Sequence, residues 1–429
     1  QRKVVIIAKA SLPASPPLAY HRLRQRPAAH RSEPLRRTRR MTEPAVLPAI
    51  AALREEMVTL RRHIHAHPEL GFEERRTATL VAECLEAWGY QVSRGVGRTG
   101  VVGTLCRGEG PALGLRADMD ALPIQEATGL PYASQVDGVM HACGHDGHTA
   151  MLLAAARHLV ESPHWRGTLQ LIFQPAEEGL GGARAMLDDG LLERFPCDAI
   201  FAMHNVPGYP VGHLGFHPGP FMASADTVVI RVIGSGGHGA VPQRTVDPVV
   251  VCSAIVLALQ SIVSRNVDPQ DTAIVSVGAI HAGTVSNVIP ASAEMILSVR
   301  ALTAETRALL ERRIGELARG QAASFGARAE VDYRHCHPVL VNHPGQTAFA
   351  REVARDWLGE ECLIDGLRPF TASEDFAFIL ERCPGSYLVI GNGQGESGCQ
   401  LHNPGYDFND DCLAVGASYW VRLAERFLA

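Results

Sequence analysis

Ile50, Leu53, Met57, Leu60 and Ile64 recur at spacings of three and four, so residues 48 to 66 predict an amphipathic helix that Pro68 ends. Downstream, short apolar runs replace that period. Ala112 to Leu115, Thr168 to Phe173, Ala199 to Met203 and Tyr387 to Ile390 read as buried strands, and Ala150 to Val160 as a helix between the first two. Strands alternating with helices predict an α/β sheet with helices on its faces.

Between 222 and 334 the rhythm changes. Thr227 to Ile233 alternates as a strand does, Pro248 to Ser264 reads as a helix, Thr272 to Val277 and Glu294 to Val299 as strands, and Thr303 to Phe325 as a second helix. A unit of this order inside an α/β chain predicts an inserted α+β domain. The expected division is therefore a catalytic domain in two parts, 41–221 and 335–429, interrupted by the insertion 222–334.

Composition changes this picture mainly at the N-terminus. The chain has 429 residues, 46% hydrophobic and 20% charged, the balance of a soluble globular protein. No run approaches the roughly 18 consecutive apolar residues of a membrane span. Residues 1–40 hold 11 basic residues against Glu33 alone, whereas the remainder has 29 basic and 44 acidic residues. An acidic body is not a nucleic-acid binder. The Pro-, Ala- and Arg-rich stretch 1–40 lacks periodicity and is expected to be a disordered or non-native tail. Both lysines, Lys3 and Lys9, lie in it, which excludes Schiff-base, P-loop and Ser-x-x-Lys chemistry from the body. Ten scattered cysteines without a C-x-x-C pair point to a reducing cytoplasm.

In open α/β sheets ligands bind beyond the carboxyl ends of the strands. Asp118 and Asp120 follow the first predicted strand, Glu177 and Glu178 the second, His204 the third, and His402 the fourth after a glycine-rich loop. His141-Ala142-Cys143-Gly144-His145-Asp146-Gly147-His148 stands just before the helix. Thiolate, imidazole and carboxylate converging on one rim suit a transition-metal site. Two ions about 3.5 to 4 Å apart would use this many ligands better than one, and of two adjacent carboxylates one can bind metal while the other moves a proton. Two rival features are weaker. His63 and His67 lack carboxylate or cysteine neighbours, and Gly234-Ser235-Gly236-Gly237-His238-Gly239 is followed by no lysine that would make it a phosphate loop.

The stretches Leu115 to Pro123, Met140 to His148, Gln174 to Gly179, Met203 to Asn205 and Leu401 to Pro404 resemble those of M20 metallopeptidases. The likeness is to the amidohydrolase branch that includes hippurate hydrolases, N-acyl-amino-acid aminoacylases and auxin-conjugate hydrolases, and it extends over Met41 to Ala429. It implies a dinuclear-metal exopeptidase-like fold whose two divalent ions (Zn, Mn, Co or Ni) are held by Cys143, His145, Glu178, His204 and His402, with Glu177 as base. It also implies that the insertion is a lid and dimerisation domain of a homodimer or tetramer. His238 would reach a neighbouring subunit's site, and Asn287 and Arg300 would hold the α-carboxylate of the substrate. Leu180 and Gly239 depart from the family pattern, and His335-Cys336-His337 reads as structural. The implied activity is cleavage of an N-acyl-amino acid. A dipeptidase of the same fold and a non-catalytic metal-binding relative are the alternatives, the latter disfavoured because the base position keeps Glu177.

Overall fold

The computed structural model describes residues 44–393 and 399–429, so the tail expected over 1–40 lies outside the described residues. The first predicted helix is present in two pieces, Pro48–Ala51 and Arg54–Ala66. Between them the chain tightens into a turn in which the Leu53 amide donates to the Ile50 carbonyl. A further helix, Arg75–Ala87, leads into a hairpin of Gln91–Val96 and Gly100–Arg107. Neither the helix nor the hairpin was picked out from the sequence.

The four buried strands are longer than their apolar cores. Ala112–Asp118, Gly167–Gln174, Ala199–Val206 and Gly385–Gly391 form a seven-stranded sheet with the hairpin and the short strand Leu214–Gly215. Its order is 91–96, 100–107, 167–174, 112–118, 199–206, 385–391, 214–215. The four central strands pair parallel with one another, and the three outer strands each pair antiparallel with their neighbours. Parallel strands need helical crossovers covering both faces, which is why these segments read as continuous apolar runs and not as alternating ones. The crossover helix His145–Glu161 is buried almost all round and packs against the C-terminal helix Asp411–Phe427. A Cβ on Gly416 of the C-terminal helix would collide with Met151 Sδ, so that glycine permits the approach.

A second sheet has the order 273–282, 292–301, 224–233, 328–337 and is antiparallel throughout. Helices Pro248–Arg265 and Ala304–Ser324 cover it, with Val251, Ile255, Leu259, Leu310 and Ile314 against Val228, Ile230, Met295 and Leu297. The strand Arg328–His337 was not read from the sequence, although Ala329, Val331 and Tyr333 alternate across it. Helix Pro248–Arg265 carries no charge before Arg265 and is long and apolar enough, by composition, to cross a membrane, although Pro248, Ser253, Gln260, Ser261 and Ser264 interrupt its apolar run. One face is packed on the sheet, while Val249, Val250, Leu257 and Val263 are exposed on the other.

Candidate metal centre

The parallel strands deliver their carboxyl ends to one rim, and loops beyond them carry the predicted ligands. Asp118 ends its strand, Glu177 and Glu178 follow Gln174 by a turn, and His204 lies two residues before the end of its own strand. The helix His145–Glu161 begins there after Gly144 in a left-handed cap. His402, itself at φ 65°, is tied in by its amide, which donates to the Ala142 carbonyl at 2.8 Å.

These residues converge. Potential ligand atoms of Cys143, His145 and His204 lie within 4.8 Å of one another, as do those of Cys143, Glu178 and His402, and of His145, Glu177 and Glu178. Cys143 Sγ is 3.3 Å from His204 Nε2, and His402 Nε2 is 3.1 Å from Glu178 Oε1. None of these groups includes His63 or His67.

Two of the imidazoles are oriented through Nδ1. His145 Nδ1 donates to Asp120, at 2.9 Å to its carbonyl and 3.2 Å to Oδ1, which turns Nε2 inward. His204 Nδ1 donates to the Asn205 carbonyl at 2.7 Å, and burial holds the ring neutral, its pKa well below 6.5. Asp120 also accepts the Glu178 amide through Oδ2 at 2.9 Å, so one carboxylate aligns two of the proposed ligands.

Electrostatics call for cations here. Burial, then the charges of Glu178, Glu177 and Asp118, push the Cys143 thiol well above 9. Burial, then Glu374, Glu178 and Asp375, push the Glu177 carboxyl well above the usual carboxylate range. The buried atom His145 Nε2 has no hydrogen-bond partner among the described residues. Unpaired buried polar atoms are costly unless something else satisfies them. A soft thiolate, three imidazoles and a carboxylate fit divalent transition metals by donor chemistry.

A metal-binding Cys143 predicts that affinity weakens as pH falls, because the bound form is a thiolate and the folded site raises the thiol's pKa. Competition titrations across pH should show this, and chelation should speed alkylation of Cys143. Equal alkylation rates with and without metal would count against the thiolate as ligand.

Around the centre stand groups that sequence reasoning did not single out. Fully buried Arg116 pairs with Asp118 at 2.7 Å and Glu374 at 2.9 Å, and Tyr387 donates its hydroxyl to Glu374 at 2.6 Å. The Asp375 amide faces Glu177 Oε1 at 3.4 Å, while its carboxylate accepts the Ala183 amide at 2.9 Å and Gln174 Nε2 at 2.7 Å. Ser373-Glu374-Asp375 has no metal-ligand spacing, so only the fold reveals it.

His238, Asn287 and Arg300 are not brought together in one chain. His238 pairs with Val288 in a two-residue ribbon, and the Gly239 amide donates to the Asn287 carbonyl at 2.8 Å. A Cβ at Gly239 would stand 3.1 Å from that carbonyl oxygen, a crowding that favours the glycine. The ribbon joins the second sheet at the Ser292 end of the strand Ser292–Ala301, whereas Arg300 is near the other end. Ser292 and Arg300 are eight residues apart along that strand, roughly 26 Å at about 3.3 Å per residue. Arg300 Nη1 donates to Ser373 at 2.9 Å, and His337 Nδ1 lies 3.3 Å from the same hydroxyl. His238 is exposed, and its Nδ1 accepts the Ala240 amide at 3.0 Å, so a neutral ring carries its hydrogen on Nε2. Leu180, on the turn of the two glutamates, is 60% exposed.

The chain is similar to known proteins over most of its length. The model of peptidase family M20/M25/M40 matches residues 114–426. A hippurate hydrolase of Campylobacter jejuni is 47% identical over 384 residues, 89% of this chain and 99% of that protein. An IAA-amino acid hydrolase of Arabidopsis thaliana is 42% identical over 87% of this chain and 85% of its own. A solved dinuclear metal-binding peptidase of family M20 from Bacillus subtilis superposes with a TM-score of 0.76 at 35% identity, over 88% of this chain and 99% of that one.

Proposed function

The chain belongs to peptidase family M20/M25/M40, and from that premise we propose that it is a metal-dependent amidohydrolase that cleaves N-acyl-amino acids of the hippurate type to a carboxylic acid and an amino acid. The similarity to a hippurate hydrolase along nearly the whole of both chains carries this reading.

Two divalent ions, of Zn, Mn, Co or Ni, would be held by Cys143, His145, Glu178, His204 and His402. When bound they supply an acidified water and polarise the scissile carbonyl. Glu177 takes the proton of that water and returns it to the leaving amine nitrogen. Its burial among carboxylates favours this task, since a base works best with a pKa raised toward the working pH, and neighbouring cations offset part of the rise. His238 of a second copy donates from Nε2 to the developing oxyanion. Arg300, held beside Ser373 and so near Glu177 of its own chain, binds the α-carboxylate of the substrate, with Asn287 arriving together with His238 from the second copy.

In this reading residues 41–221 and 335–429 form the catalytic domain and 222–334 a lid through which two chains pair. Two observations support the homodimer. The helix Pro248–Arg265 turns Leu257 to solvent at 75% exposure, and the strand Ala273–Ala282 leaves its outer edge unpaired within the sheet. A reducing cytoplasm suits an enzyme whose ligand set includes a thiolate. The test is turnover of the metal-loaded protein against a panel of benzoyl-, indole-acetyl- and acetyl-amino acids beside unblocked dipeptides. Turnover of the dipeptides alone would replace this reading with a dipeptidase.

A further inference from the structure

The turn that carries Glu177 is held in a conformation its own residues disfavour. Ala176 has φ 50°, in the left-handed region that a residue with a Cβ rarely occupies. Such strain persists only where the surroundings over-determine it, and it gathers at functional sites. Here Gly71 presses on the turn, since a Cβ on it would stand 3.0 Å from Ala176 Cα and Cβ. The Gly182 amide donates to the Ala176 carbonyl at 2.9 Å. The third constraint comes from about a hundred residues upstream. Glu74, fully buried at the start of helix Arg75–Ala87, accepts the buried Ala176 amide through Oε1 at 2.8 Å, and its Oε2 accepts the Thr99 hydroxyl.

We propose that Glu74 is a positioning residue for Glu177. By satisfying the Ala176 amide it locks the left-handed peptide, which sets the direction in which the next side chain leaves the backbone. The neighbouring Glu178 is held separately, its own amide donating to Asp120 Oδ2. Loss of Glu74 therefore releases the base and leaves the metal ligand in place. Only an acceptor oxygen is needed toward Ala176, and a Thr hydroxyl can donate or accept, so glutamine at 74 can serve as well as glutamate.

This inference rests on Glu177 being the base, so the experiment carries Glu177→Gln beside Glu74→Leu, Glu74→Asp and Glu74→Gln. Each metal-loaded variant is measured for kcat and KM on benzoylglycine, metal per chain and thermal midpoint. Misplacing a reacting group by about 1 Å costs roughly a hundredfold. Glu74→Leu should lower kcat about ten- to a hundredfold, with KM within about twofold and metal per chain unchanged, while Glu74→Gln stays within about threefold of the parent. Glu74→Asp keeps the charge but withdraws the acceptor, and it should reproduce the kcat loss, which covers the case in which the leucine variant does not fold. Unchanged kcat in the leucine or aspartate variant, loss of metal in either, or a glutamine variant as impaired as the leucine one would each overturn the role. An active Glu177→Gln enzyme would instead overturn the base assignment, whereas an inactive one beside fully active Glu74 variants would remove only the role of Glu74.

Discussion

Glu177→Gln should lower kcat by about 10² to 10⁴, the usual worth of a general acid-base group, while metal content stays at the parental value. Glutamine preserves the shape of the side chain and its contact with the Asp375 amide, so folding is not the variable. What it removes is the ability to accept a proton from water and deliver it to the amine. Glu178→Gln should behave differently, with weakened metal binding as its first consequence, because that side chain lies within ligand distance of both Cys143 and His402. Metal analysis alongside kinetics separates the two. If Glu177→Gln loses its ions while Glu178→Gln retains them, the roles are exchanged.

His238→Ala should cost roughly 10² to 10³ in kcat, comparable to deletion of an oxyanion-hole donor, without loss of metal. Within one chain His238 lies on the ribbon that joins the second sheet at the end away from Arg300, and it is Arg300 that bonds Ser373, two residues from the Asp375 amide that faces Glu177. The His238 donor must therefore serve a neighbour's site if it serves any. Mixing inactive Glu177→Gln chains with inactive His238→Ala chains, under conditions of demonstrated subunit exchange, should restore activity, because one of the two sites in the mixed dimer has both groups intact. A mixture as inactive as its parents would end the trans-acting role.

The elements and the ligand rim were legible because they depend on local pattern. Apolar runs such as Thr168 to Phe173 are long enough to mark a strand buried on both faces, and the carboxyl end of a parallel strand is where a polar residue is free to point at a ligand. Boundaries were less legible. Polar positions such as Gln174 and Asn205 extend the strands without an apolar signal, since ladder hydrogen bonds do not depend on side-chain polarity. The hairpin Gln91–Val96 and Gly100–Arg107 gives no clear strand signal, because glycine and arginine interrupt its alternation.

What the sequence determined by itself was therefore the inventory of chemistry and its order along the chain: an α/β sheet with an α+β insertion, Glu177, Glu178, His204 and His402 each after or at a strand end, and Cys143 and His145 just before a helix. The tertiary structure decided which of these meet, and which unmarked residues orient them. Asp120 reaches His145 and Glu178, Asp375 reaches Gln174 and Ala183, and Glu74 reaches Ala176, each by a hydrogen bond between segments remote in sequence. Such a bond leaves no periodicity or spacing to read. The same holds for the separation of His238 and Asn287 from Arg300, because strand register fixes how far apart residues of one sheet lie, and register forms only when the sheet does.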